Sequence, residues 1–509
     1  MLLADLVAAS AEVSATRSRK AKVVSLADLL SRILDADPDE IATVTSYLAG
    51  SLRQRRTGLG WRSMQSLPAP AAESSLTVPE VHLTLQRISE LEGAGSQQAR
   101  ADATAALFSQ ATADEQRWLR GLITGELRQG ALDSLVQEAL AVAGGVPLPA
   151  VRRAAMMAGS TVAIAPAALT GGSEALAAFV LEVGRPVLPM LASSAPSISA
   201  AMDKTGAAPG RPVAVDTKLD GIRIQAHRRG DEVHLATRSL DDITSRLPEV
   251  VEVVRALPAQ SLVLDGEVLA LDGSGRARPF QETASRTSTH DGVHLTPYFF
   301  DLLHLDGTDL VDAPAHERLA ALEALVPERH RAARVVTDDP VIAEQFVVDA
   351  LALGHEGVVV KDLAAPYAAG RRGASWVKVK PVHTLDLVVL AVEWGSGRRR
   401  GWLSNIHLGA RDDSAPGGFV MLGKTFKGMT DEMLAWQTER FLALETHREG
   451  HVVHVRPEQV VEIAFDGVQR SSRYRGGVAL RFARVFRYRE DKTPDEADTI
   501  DTLRGYLEN

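Results

Sequence analysis

Apolar positions along this chain change their spacing twice. From residue 1 to about 192 they recur at helical intervals, as in Leu26, Leu29, Leu30, Ile33 and Leu34, or Trp118, Leu119, Leu122 and Ile123. Ser25 before Leu26 and Thr77 before Val78-Pro79-Glu80 read as helix N-caps. Residues 154–173 carry no charge, but Gly159, Ser160, Pro166 and Gly171-Gly172 interrupt them. That pattern predicts a buried helical segment with a turn and not a membrane span. Residues 66–75, rich in Pro, Ala and Ser, read as a loop, and residues 193–212 as the first clear linker.

Beyond the linker, alternation takes over. Val213 and Val215, then Ile222 and Ile224, alternate with polar residues on either side of Asp220-Gly221, which predicts a strand, a tight bend and a second strand. Stretches 223–227 and 233–238 flank Arg229-Gly-Asp-Glu as a hairpin. Strands follow at 261–271, 296–305, 357–362 and 375–380, with helices near 245–257, 315–326 and 340–353. This is a mixed α+β pattern ending near Lys380-Pro381. From about 384, short strands at 385–392, 406–410, 419–424, 452–455 and 460–464 surround one helix at 430–444. Five strands and a single helix predict an OB-type β-barrel, closed by an Arg-rich strand and a short acidic helix at 495–507. The expected fold is therefore multidomain: all-α over 1–205, α+β over 206–382 and an OB-fold barrel over 383–509.

Composition narrows the classes. With 45% hydrophobic and 24% charged residues, a chain of 509 has the balance of a globular protein and length for several cores. The absence of cysteine excludes disulfide scaffolds and thiolate metal sites. Without a basic, apolar leader pattern at its start, the chain is expected to be cytoplasmic. Net charge is −9, yet cations cluster locally: Arg470, Arg473, Arg475, Arg481, Arg484, Arg487, Arg489 and Lys492; Arg398 to Arg400; and Arg53, Arg55, Arg56 and Arg62. Clusters in separate regions of an acidic protein suit phosphate contact. In Gly125-Glu-Leu-Arg128-Gln-Gly130, two glycines flank an arginine, so backbone amides could approach a phosphate. A plain helix–helix turn is the alternative.

The chemistry centres on Lys218, in Asp216-Thr-Lys218-Leu-Asp220-Gly221-Ile-Arg223. Period two puts Asp265 with Glu267 on one strand face. It puts Trp376, Lys378 and Lys380 on another, with Val377 and Val379 turned to the core. Glu356 precedes the strand ending at Lys361, Arg238 ends the hairpin, and Phe300-Asp301 lies in an apolar strand. A lysine acting on a carbonyl needs no such surplus of charge. A lysine acting on a phosphate does, with cations around the transferring group and carboxylates for Mg²⁺.

These motifs, in this order, resemble those of the covalent nucleotidyltransferase superfamily, which includes DNA ligases and capping enzymes: Lys218-Leu-Asp-Gly-Ile-Arg, Arg238, Asp265-Gly-Glu267, Phe300-Asp-Leu-Leu, Glu356-Gly-Val-Val-Val-Lys361, Trp376-Val-Lys-Val-Lys380 and Arg489-Glu-Asp-Lys492. Within it the chain is similar to three-domain ATP-dependent DNA ligases. The resemblance implies a helical DNA-binding domain, an adenylation domain and an OB-fold domain. It implies ATP as substrate, Mg²⁺ as cofactor and nicked duplex DNA as partner, bound by a monomer encircling it in replication, repair or recombination. Lys218 would accept AMP. Asp216, where the family usually has glutamate, would lie near adenine, on which Phe300 would stack. Arg223 and Arg238 would hold ribose and phosphates, and Glu267 ribose or metal, with Glu356 also on the metal. Arg372 and Lys378 would contact the nucleotide phosphate, with Lys380 close by. Arg489 and Lys492 would orient pyrophosphate. Arg53, Arg55, Arg56 and the Gly125, Arg128, Gly130 turn would contact DNA.

Rival readings differ at identifiable points. RNA ligases and capping-type guanylyltransferases share the lysine motif but usually lack a large helical domain before it. NAD⁺-dependent ligases carry a cysteine zinc site, which this chain cannot build. A nick-binding clamp without turnover would form no covalent nucleotide adduct.

Overall fold

The computed structural model describes residues 1–127, 133–273, 276–278, 283, 294–369, 372–380 and 383–507. The chain divides into two compact units, Met1–Val379 and Lys380–Asn509. Among the described residues no helix is long and apolar enough to cross a membrane.

The first unit opens with helices that share one apolar core, among them Leu3–Ala15, Arg19–Leu30, Pro38–Leu48, Val78–Glu90, Ala113–Ile123 and Leu148–Ala158. Thr77 and Glu80 form a reciprocal cap at the start of Val78–Glu90. Ser25 is not a cap. Its helix begins six residues earlier, where the Ser18 side chain accepts from Ala21 N at 3.3 Å. The polar first turns of that helix carry no apolar period to announce it. Residues 154–173 are helical with a break at Gly159, as expected. The supposed linker at 193–212 is partly structured. It takes in the end of strand β1 (Leu191–Ser194) and the whole helix Ile198–Thr205, which the Ser197 side chain caps.

Two five-stranded sheets follow. β2 (Val213–Lys218), β3 (Ile222–Arg229), β4 (Glu232–Thr237), β5 (Ser261–Ala270), β6 (Leu295–Leu305), β7 (Thr308–Asp309), β8 (Arg334–Thr337), β9 (Gly357–Lys361) and β10 (Arg372–Val379) join β1 in the orders β1-β10-β9-β2-β8 and β4-β3-β5-β6-β7. β2 and β3 do not pair. The Leu219-Asp220-Gly221 bend carries the chain from one sheet into the other. Helices Ile198–Thr205 and Pro340–Ala352 cover one face of the first sheet, packing on Val213, Val215, Val358, Val360, Val377 and Val379.

Asp301 on β6 is fully buried and takes a two-pronged ion pair from Arg318 on helix Ala315–Leu325, at 2.8 and 3.1 Å. Arg318 also donates to Ala313 O and Ala365 O, so its cation is satisfied without water.

The second unit corrects the barrel expectation. Its strands are β11 (His383–Trp394), β12 (Leu403–Arg411), β13 (Phe419–Thr425), β14 (Glu445–Glu449), β15 (Val452–Val455), β16 (Val460–Phe465), β17 (Gly467–Arg470), β18 (Val478–Arg481) and β19 (Arg484–Arg489). Seven of them form one sheet, β13-β12-β11-β15-β14, with β16 pairing β11 and β19, while β17 and β18 make a separate ribbon. The sheet is not closed. Long β11 pairs with β16 along its first half and with β15 along its second, so the sheet branches. Among the described strands β13, β14 and β19 remain edges, and an isolated backbone bond, Val485 N to Lys427 O at 2.9 Å, stands where a closing ladder would run. Strand number and spacing predict strands, but closure depends on which first and last strands pair, and no local pattern encodes that.

Arg318→Ala leaves the Asp301 carboxylate buried without a cation. It is expected to destabilise the first unit by about 3–5 kcal/mol, read as a lower urea midpoint. An unchanged midpoint would show that the ion pair holds nothing.

Candidate active site

The period-two alternation that buries valines on one face of the first sheet turns their neighbours the other way. Asp216 and Lys218 on β2, Val359 and Lys361 on β9, and Trp376 and Lys378 on β10 line a cleft of about 730 Å³. The second sheet contributes Ile222 and Arg223 of β3, Glu267 of β5 and Phe300 of β6, and the turn after β4 adds Arg238 and Ser239. Among the described residues, five cationic side chains line this cleft (Lys218, Arg223, Arg238, Lys361 and Lys378) against two carboxylates, Asp216 and Glu267. Such a lining suits an anionic ligand.

Lys218 ends β2 opposite Gly357, and its Nζ donates to Glu356 Oε2. The backbone fixes this meeting, since Glu356 N donates to Lys218 O at 3.1 Å. Three residues on, Gly221 N donates to Glu267 Oε1 at 2.8 Å. A Cβ at Gly221 would sit 2.2 Å from Val268 O, so only glycine permits that approach. Burial pushes the Glu267 carboxyl up to about 7, opposed by the Gly221 N–H and the Lys218 and Arg223 charges.

Behind the cleft surface the charges are paired. Arg223 holds Asp265 with two bonds of 3.0 and 2.6 Å and donates to Met190 O, while the Tyr367 hydroxyl donates to Asp265 at 2.7 Å. Asp216 takes Arg334 at 2.6 and 2.8 Å and Lys361 at 2.7 Å. Burial raises the Asp216 carboxyl, but the two cations outweigh it and hold it below the usual carboxylate range. Lys361 Nζ also donates to Phe300 O and lies over the rings of Phe300 and Trp376, 4.9 and 4.5 Å from their centroids. Phe300 meets Trp376 edge-on at 5.9 Å. Its ring is therefore held from two sides yet still reaches the cleft.

The structure thus brings together Lys218, Asp216, Arg223, Arg238, Glu267, Phe300 and Lys378 in one cleft, with Glu356 on Lys218. Arg372 lies on β10, opposite Leu191 of β1. Asp220 follows β2 in the bend and does not line the cleft. Lys380 belongs to the second unit and pairs there with Asp466. Arg489 and Lys492 are also in that unit, both on Asp386 at 3.1 and 2.6 Å, with Arg489 also on Asp491. Among the residues expected at DNA, Arg53 pairs with Asp39 at 2.6 Å, Arg55 reaches Asp241, and Arg56 is exposed. Gly125, with φ +69°, sits in the turn after helix Ala113–Ile123. Arg128 and Gly130 lie outside the described residues. Sequence reasoning missed Arg334 and Tyr367. The first opens a four-residue strand too short to give a period, and the second lies outside any strand or helix.

Comparison with known proteins shows the family. Residues 189–380 match the family model "ATP dependent DNA ligase domain", residues 61–141 "DNA ligase N terminus" and residues 399–492 "ATP dependent DNA ligase C terminal region". A "Probable DNA ligase" of Nocardioides sp. is 70% identical over 512 residues, spanning 100% of this chain and 99% of the relative. One of Kineococcus radiotolerans is 66% identical over 503 residues, spanning 99% of each. The solved structure Pmar-Lig_PreS3 shares the fold, with a TM-score of 0.61 at 19% identity over 95% of this chain and 99% of that one. The chain belongs to the ATP-dependent DNA ligase family, enzymes that seal nicks in duplex DNA by taking AMP from ATP onto a lysine, passing it to the 5′-phosphate and displacing it with the 3′-hydroxyl.

Proposed function

We propose that the cleft carries the first step of ligation and that Lys218 is the amine that takes up AMP. The supporting observation is the contact of Lys218 Nζ with Glu356 in a cleft where cations outnumber carboxylates. Nitrogen attacks the α-phosphorus of ATP only after losing a proton, and Glu356 is the carboxylate in contact to receive it. The new N–P bond then replaces the bond to pyrophosphate. Arg223 and Arg238 take ribose and phosphate, Lys378 and Arg372 the α-phosphate, with Lys380 close by, and Phe300 stacks on adenine. Asp216 borders the base, its position set by Arg334 and Lys361. Arg489 and Lys492 meet the leaving group, which requires the C-terminal unit to close on the cleft during this step.

Glu267 and Glu356 fit Mg²⁺. Both offer carboxylate oxygens as ligands, and Glu267 lines the cleft. Bound there, the metal would neutralise charge on the phosphoryl oxygens. We assign residues 1–205 to DNA binding, 206–382 to adenylation and 383–509 to the closing domain, in a monomer that encircles the nick. Arg53, Arg55, Arg56, Gly125, Arg128 and Gly130 would contact its backbone. As the finer reading within the family we propose an enzyme of the bacterial DNA ligase B type, which rests on the motif resemblance alone.

Lys218→Ala is expected to stop sealing of an ordinary nick but to spare sealing of a nick whose 5′-phosphate already carries AMP, measured on denaturing gels. Loss of both would mean that Lys218 serves the fold and not the first transfer. Half-saturating Mg²⁺ for adenylation should rise as pH falls through about 7, because a protonated Glu267 carboxyl is neutral and attracts the cation poorly. Glu267→Gln should flatten that dependence, and a profile identical to wild type would remove Glu267 from the metal site. Replacing Arg53, Arg55 and Arg56 by alanine should weaken nicked-DNA binding. The slope of log K against log salt should become shallower by about 0.9 for each phosphate left without its arginine, with adenylation unchanged. An unaltered slope would exclude these arginines from the DNA surface.

A further inference from the structure

The β14–β15 hairpin of the second unit carries three of the chain's 14 histidines, in Thr446-His447-Arg-Glu449-Gly-His451-Val-Val-His454. None belongs to the adenylation chemistry. His447 and His454 are direct cross-strand partners. Their rings stack with centroids 4.3 Å apart and planes 4° from parallel. Glu449, two residues after His447, lies on the same strand face. One oxygen of its carboxylate is 3.8 Å from His447 Nε2 and the other 3.8 Å from His454 Nε2. The three groups place one ligand atom each within 4.8 Å of one another.

Those distances are too long for hydrogen bonds. They are close to what one ion between the groups requires. Two ligands at Zn–N or Zn–O lengths of about 2.0–2.2 Å in a tetrahedron lie roughly 3.3 Å apart. An imidazole binds a metal in its ring plane, so one of the two stacked rings must turn out of the stack to share the ion, and the exposed His447 has the room to do so. The tautomer is also prepared. The Thr446 hydroxyl donates to His454 O at 3.1 Å, which leaves its oxygen to accept from His447 Nδ1, 3.2 Å away. A proton on Nδ1 leaves Nε2, the atom facing Glu449, with a free lone pair. This is the outer-shell arrangement that metal-bound imidazoles use. Arg448 alternates to the other face, where it pairs with Glu445 and lies over Trp394, so its charge is kept off the imidazole side. Among the described strands β14 is a sheet edge that pairs with β15 alone, so no other strand covers the outward side of the hairpin.

We propose that His447, His454 and Glu449 form a binding site for a borderline divalent cation, Zn²⁺ foremost, that clamps this edge hairpin. Two imidazoles and one carboxylate suit Zn²⁺, Co²⁺, Ni²⁺ or Cu²⁺, whereas Mg²⁺ prefers oxygen ligands. The site is therefore chemically separate from the Mg²⁺ of the reaction. Water completes the coordination, and three protein ligands leave room for it.

Calorimetric titration of ZnCl₂ into the full chain, stripped of metals and held in excess Mg²⁺, tests this. Wild type is expected to bind one Zn²⁺ at this site, and zinc should raise its thermal midpoint. His447→Ala and His454→Ala should weaken that binding roughly tenfold or more and abolish the midpoint shift. Glu449→Gln should weaken it less, and His451→Ala, outside the cluster, should leave it unchanged. Should a histidine variant fail to fold, Glu449→Gln still decides. Wild type that takes up no zinc in excess Mg²⁺ would overturn the proposal, as would folded His447→Ala, His454→Ala and Glu449→Gln variants that bind it as wild type does.

Discussion

A cleft lined mostly by cations can expose them only if the charges packed behind them are neutralised. That constraint organises the first unit. Asp216 lies between Arg334 and Lys361, Asp265 between Arg223 and Tyr367, and Asp301 against Arg318. Each carboxylate is at most 2% exposed. Each would cost several kcal/mol if left alone in the interior. Paired, they fix the positions of the very arginines and lysines that face the cleft. Asp216, Arg223 and Lys361 therefore line the cleft and hold the fold at once, so substitutions there should disturb stability as well as the cleft lining.

The Leu219-Asp220-Gly221 bend converts this electrostatic arrangement into geometry. It hands the chain from one sheet to the other immediately after Lys218, so this lysine stands where both sheets contribute side chains. Gly221 permits the close approach to Val268 that brings Glu267 onto its N–H. Alternation does the rest. The valines of β2, β9 and β10 bind the sheet to its helices, and the intervening residues become the cleft floor.

Much of this is legible from the residues. Trp376 and Lys378 share a face because strands alternate, and Val377 and Val379 oppose them for the same reason. The strand–bend–strand pattern around Lys218 matches the structure, although Asp220 leaves the strand face at the bend. What stays hidden depends on neighbours remote in sequence. Nothing local reveals that Arg334, 118 residues after Asp216, is its partner, or that Tyr367 reaches Asp265. The helix Ile198–Thr205 reads as linker because Ser, Ala and Pro around it mimic one, although its Ser197 cap is there in the sequence. The barrel expectation fails for a related reason. Five strands and a helix are recognisable, but whether the last edge returns to the first is a long-range property, and here β11 branches instead.

The chemistry of the cleft depends on Lys218 being the residue that carries the nucleotide, among several lysines in one place. Incubation of the wild-type chain with ATP and Mg²⁺, followed by intact mass measurement and fragmentation, addresses this directly. The expected result is a gain of one AMP per chain, located on Lys218. An adduct on Lys361 or Lys378, or none in protein purified free of bound AMP, would contradict it.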